Sequence, residues 1–264
     1  GPSPTVPQNS RQYNGSRIGT VSSRWMLTFM ASVAFWSWPP NANTSQPSEP
    51  GPAVIGTFSP ALRRQLAATH DVWQAVQKLQ ELARRDPENP AVWYALGKAY
   101  EAIADQAFQR LEGSARGSAE WNAAVGYRAW IQGDIAEGLR RLQEALSKSP
   151  DLRGARQILA RIYSELGREQ EARAAASAEK HLEQPNCSSE AGACALLEGR
   201  FLEVLVLTAG EHTPVSDYWR LLAAGQLAEE TYGKLQALGP SVEFHAWRAE
   251  RAEAQGDAIA AILE

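Results

Sequence analysis

Two cysteines and four histidines in 264 residues leave few groups with which to build a reaction centre. Nucleophilic catalysis needs a Ser or Cys with a base within hydrogen-bond reach and donors for the oxyanion. No Gly-x-Ser-x-Gly occurs, and His70, His181, His212 and His245 stand in unrelated surroundings. Glycine-rich phosphate loops, paired magnesium-binding carboxylates and aromatic platforms for RNA are also missing. His181, Cys187 and Cys194 are ligand types that zinc accepts, but a fourth ligand and a short Cys-x-x-Cys spacing are lacking. No catalytic residue, metal or cofactor is expected.

Basic charge is scarce as well. Residues 1–59 carry Arg11, Arg17 and Arg24 against Glu49 alone, so of 26 basic and 30 acidic residues, 23 and 29 lie beyond, a balance near −6. Nothing in that region forms a basic stripe for a phosphate backbone, which argues against nucleic acid as a partner.

Long apolar runs are missing too. Trp25 to Trp38 is uncharged but only 14 residues long, short for a membrane span, which needs about 20 residues. With Arg11, Arg17 and Arg24 before it and no Lys or Arg after it until Arg63, the run fits a cleaved signal peptide, an uncleaved signal anchor, or a buried or interfacial helix. The first two readings place the rest of the chain outside the cytoplasm. Around it, residues 1–24 read as a disordered Ser-, Asn-, Pro- and Gly-rich segment, and 39–58 as a flexible linker. The first residue is Gly, and Glu264 follows an apolar helical stretch from Ala258 to Leu263, so the sequence reads as a fragment of a longer chain.

Beyond residue 60 the composition is rich in Ala and poor in Val and Ile, which favours helix over sheet. One helical hairpin pattern is then written twice between Glu120 and Glu183 at a step of 34 residues. Val125 pairs with Leu159, Gly126 with Ala160, Gly133 with Gly167 and Gly138 with Ala172. Small residues at Gly126 and Gly138, and at Ala160 and Ala172, let two antiparallel helices cross closely. Gly133 and Gly167 stand where the chain must reverse, which favours a residue free to take positive φ.

At these residues the chain resembles the tetratricopeptide repeat family, whose helix-turn-helix units stack into a right-handed solenoid. Leu159, Ala160, Tyr163, Gly167 and Ala172 fall at the signature places, as do Gly126, Gly133, Ala145 and Pro150, while Trp93, Leu96, Gly97 and Tyr100 match a first helix. The resemblance implies an all-α solenoid over 59–264, with hairpins near 59–87, 89–117, 119–149, 150–183, 187–209, 213–239 and 241–264. A longer echo overlies it: Phe108 to Trp121 matches Tyr232 to His245, and Gln132-Gly133-Asp134 matches Gln255-Gly256-Asp257, as if a block of about 124 residues were present twice.

The family's best-known ligand mode grips a C-terminal carboxylate with Lys and Asn, and the two-Asn clamp is absent here. The inner rows of the first helices instead hold Tyr94, Lys98, Tyr127, Trp130, Gln157 and Arg161, which the resemblance implies as a strip facing a protein or an extended, acidic and apolar peptide. Two readings of function follow. One is a non-catalytic binding scaffold in the cell envelope; the other is the sensor arm of a larger membrane-anchored signalling enzyme. Export would also oxidise Cys187 and Cys194. A disulfide between them requires Cys187 to lie in a loop ahead of a helix starting near Ser189, because on a single helix the two would sit about 10 Å apart. Nothing in the sequence sets an oligomeric state.

Overall fold

The computed structural model describes residues 71–263. The segments expected at 1–24, 25–38 and 39–58, and residues 59–70 of the hairpin expected near 59–87, lie outside them. Among the described residues every regular element is an α-helix.

Helix α1 (Val72–Arg85) starts on Asp71, whose carboxylate accepts from the Gln74 backbone N–H at 2.7 Å, a favourable N-cap. It pairs with α2 (Pro90–Ala115), which opens on Asn89-Pro90. Two hairpins follow, α3 (Ala119–Ile131) with α4 (Ile135–Lys148), and α5 (Ala155–Glu165) with α6 (Glu169–Lys180). Gly126 and Gly138 face each other across the α3–α4 crossing: a Cβ on Gly126 would lie 3.0 Å from the Gly138 carbonyl oxygen, and one on Gly138 3.2 Å from that of Gly126. Gly133 and Gly167 turn the two hairpins at φ of 85° and 70°.

Cys187 and Cys194 are joined as a disulfide, with Cα atoms 5.7 Å apart. Cys187 lies in the loop, and α7 (Ala191–Leu197) carries Cys194. The bond removes both thiolates as metal ligands. Helix α8 (Phe201–Leu207) completes a short hairpin. Then come α9 (Pro214–Ala237), opened by a reciprocal Thr213–Ser216 capping box, α10 (Val242–Ala254) and α11 (Ala258–Leu263).

Two expected hairpins are single long helices. Residues 89–117 form α2, 26 residues long, and 213–239 form α9, 24 residues long. In α2 the place of the turn glycine is taken by Ala104, in a run of good helix formers that offers no reason to stop. In α9, Gly225 and Gly233 do not break the helix; Gly225 is the point of closest approach to another helix, where a Cβ would collide with the Tyr127 hydroxyl.

These two long helices pack antiparallel, the most extensive helix pair in the described chain. Gly97 of α2 receives the Tyr232 ring of α9, and at the other end Arg110 Nε donates to Asp217 Oδ1 at 2.7 Å. Asp217 is 1 % exposed, so this ion pair fixes the register of the two helices rather than decorating a surface. Helix α9 thereby joins both halves of the core. Its C-terminal half (Ala228, Tyr232, Leu235) packs with Val76, Leu79, Leu96 and Tyr100, and its N-terminal half (Tyr218, Leu221) with Leu111, Leu142, Ile158 and Ile162.

The 124-residue echo has a physical counterpart. Pro90 and Pro214 open the two long helices, and Tyr94 and Tyr218, like Leu111 and Leu235, are buried at matching places. Helix α3, after α2, packs on α9, and α10, after α9, packs on α2. The two Gln-Gly-Asp turns that end α3 and α10 meet: a Cβ on Gly133 would lie 3.6 Å from Gln255 Cγ. The repeat hairpins thus form an α-solenoid whose inner face is covered by the chain's own α9 and α10.

Candidate functional site at the meeting of the two turns

The strip expected to be open is largely filled, and Tyr94, Lys98 and Tyr127 are corrected accordingly. Tyr94 is 2 % exposed, and its hydroxyl donates to Glu250 of α10 at 2.6 Å; burial and this bond push its pKa far above the usual phenol range. Lys98 Nζ pairs with Glu101 at 2.6 Å and with Glu250 at 3.0 Å. Burial pulls its ammonium down, but the two carboxylates outweigh this and hold it above its ordinary value.

Tyr127 is 5 % exposed beneath α9 at Gly225, and burial raises its hydroxyl well above the ordinary value. Family rows identify a first helix's inward side, but they carry no information about a helix from elsewhere in the chain laid against it. The small residues Ala223, Ala224 and Gly225 are what let α9 approach this closely. Gln157 is exposed on α5 and does not belong to the arrangement that follows.

Trp130 is corrected too, since it is 7 % exposed; its ring and the exposed Arg161 border a cleft of about 570 Å³ between the α3–α4 turn, α5, α9 and α10. Trp130 packs edge-on against Tyr127, ring centroids 5.9 Å apart, and its Nε1–H donates to Glu165 at 2.7 Å. The Arg161 guanidinium lies 4.9 Å over the Trp130 ring and donates to Gln226 and Glu229 of α9, at 3.1 and 2.9 Å. It straps α5 to α9 at one end of the cleft. Across from it the rings of Tyr232 and Trp247 stack with centroids 5.3 Å apart, and Arg251 lies 5.8 Å over Trp247. Gln236 and Gln255 complete that end.

Trp247, Arg251, Gln236 and Gln255 were not among the sequence-derived site residues. The Gln-Gly-Asp echo was the available signal, because it marks the two turns that meet at this cleft. Chemically the arrangement offers flat aromatic walls, amide donors and guanidinium groups, a composition suited to binding side chains and enriched at protein interaction hot spots. A second, shallower depression of about 520 Å³ beside α8 is bordered by Leu202, Val206 and Leu227.

Among the described residues no group of three or more His, Cys, Asp or Glu side chains is placed to hold a metal ion, and no helix is long and apolar enough to cross a membrane. No curated protein matches the chain. Residues 129–179, from the end of α3 through α6, match the family model described as tetratricopeptide repeat. That stretch coincides with the two hairpins in register at a 34-residue step, and the match supports a protein of the tetratricopeptide repeat family.

Proposed function

We propose that this protein is a non-catalytic scaffold that binds a partner protein or peptide at the cleft between the α3–α4 turn, α5, α9 and α10. One observation carries the reading: the exposed guanidinium groups of Arg161 and Arg251 and the half-exposed ring of Trp247 converge there over the buried rings of Trp130 and Tyr232. Repeats of this family generally mediate protein–protein interaction, and the cleft is the feature of this chain suited to that role.

The test uses Gly233, which lines the cleft and has nothing within 4 Å of where its Cβ would be. Gly233→Trp should fill the mouth of the cleft while leaving the fold intact or slightly more stable, since removing a helical glycine gains about 1 kcal/mol. Partners captured by the wild-type chain in a pull-down and identified by mass spectrometry should be lost from the variant. Unchanged capture at unchanged melting temperature would move the binding surface elsewhere.

We also propose export, with these repeats outside the cytoplasm. The uncharged run at 25–38, preceded by Arg11, Arg17 and Arg24, supports it, as does the Cys187–Cys194 pairing, because disulfides persist in oxidising compartments. Protein recovered from the cell envelope without reductant, denatured and treated with iodoacetamide, should gain no adduct by intact mass. Two adducts would contradict the proposal.

A further inference from the structure

The charges around the cleft are unequal in one respect. Glu229 is taken by Arg161 at 2.9 Å, and Glu165 accepts from Trp130 at 2.7 Å. Lys98 and Glu250, on the neighbouring faces of α2 and α10, satisfy each other at 3.0 Å. Of the two cations lining the cleft, Arg161 is paired and Arg251 is not: the Arg251 guanidinium rests over the Trp247 ring at 5.8 Å, and no carboxylate among the described residues comes within ion-pair distance. It is exposed, in the last turn of α10, flanked at the cleft by the amides of Gln236 and Gln255.

Deepening the cleft reading above, we propose that Arg251 is the seat for a side-chain carboxylate of the partner, and that the partner segment carries an Asp or Glu directly beside an aromatic or branched apolar side chain. A planar guanidinium presents paired N–H donors that match a carboxylate in two parallel bonds. Resting on Trp247 pre-orients it, so less side-chain freedom is lost on binding. The neighbouring residue of the partner packs on the half-exposed Trp247 face and toward Trp130, and Gln236 and Gln255 donate to the segment's backbone. A cationic side chain placed at this end of the cleft would meet the unpaired Arg251, which selects against it.

The experiment uses the full chain labelled with ¹⁵N at tryptophan and three peptides capped at both ends: acetyl-Gly-Phe-Glu-Gly-amide and its counterparts with Gln or Lys in place of Glu. The glutamate peptide should shift the indole N–H signals of Trp247 and Trp130. It should bind about tenfold more tightly than the glutamine peptide, the worth of a charge-assisted pair at a partly exposed site. Arg251→Gln should erase that difference with the melting temperature unchanged, and Arg251→Lys should restore part of it. If the glutamine or lysine peptide shifts the same indoles with equal affinity, the cleft reading stands and the carboxylate seat is overturned. If none of the three peptides shifts either indole, both are overturned.

Discussion

Tyr127→Ala should lower the stability of the fold by about 3–5 kcal/mol, the range for truncating a large buried aromatic side chain. Had Tyr127 lain on an open binding groove, the same change would cost within about 0.5 kcal/mol. The larger figure follows from position. The ring is 5 % exposed, its hydroxyl fills the space left by the missing Cβ of Gly225, and it packs in a T-shaped pair with Trp130, centroids 5.9 Å apart. Removing it opens a cavity at the junction of α3 and α9, where neither helix can close the gap without giving up its contacts with Leu111, Leu142 or Leu221. Urea denaturation checks this, read as a fall in midpoint at unchanged slope, which separates lost stability from a change in compactness.

Gly97→Leu is expected to be comparably damaging for the opposite reason. A Cβ at Gly97 would stand 2.5 Å from Tyr232 Cε1 and 2.6 Å from Cζ, so the branched side chain must displace a ring that is itself stacked on Trp247 at 5.3 Å. Overpacking of this kind costs about 1–3 kcal/mol even where a core adapts, and here adaptation means separating α2 from α9. Gly126→Leu is the companion. Its Cβ would meet the Gly138 carbonyl oxygen at 3.0 Å and Leu142 Cγ at 2.9 Å, backbone and a fully buried side chain, so neither yields easily. The two variants probe different links, Gly126 the hairpin within one repeat and Gly97 the contact between distant parts of the chain. Gly233→Leu on the exposed face of α9 serves as the control, with no loss expected. A Gly97→Leu melting temperature equal to that of the control would mean that α2 and α9 do not pack as described.

The contrast between these glycines also shows what was readable in the residues. The small residues at Gly126, Gly133 and Gly138 recur 34 positions on as Ala160, Gly167 and Ala172, because each does a local job, crossing or turning, that depends on neighbours within one or two repeats. Local jobs leave periodic marks. Gly97 and Gly225 look in the sequence like further members of that set, yet Gly97 serves the contact of α2 with Tyr232 of α9 and Gly225 that of α9 with Tyr127 of α3, 135 and 98 positions away.

The same cause explains why Tyr94 and Tyr127 could be assigned to a first helix but not to a core. Their burial comes from α10 and α9, and no periodicity within their own repeats encodes it. The 124-residue echo was visible in Gln132-Gly133-Asp134 and Gln255-Gly256-Asp257, but its consequence, that the two turns meet and shape a cleft, needs the antiparallel packing of the long helices. Arg251 and Trp247 therefore had no signature of their own, while Trp130 and Arg161 were found for a reason only partly connected to where they lie.

The central claim is that the chain covers its own inner face by laying α9 against α2 and α3. A NOESY spectrum of the full chain, assigned at Gly97, Gly225, Tyr127 and Tyr232, tests it most directly. The account predicts cross-peaks from the Tyr232 ring protons to Gly97 Hα and from the Tyr127 ring protons to Gly225 Hα, since each ring occupies the space a Cβ would take. Absence of both cross-peaks, with Tyr127 ring protons showing contacts only to α3 and to solvent, would contradict it.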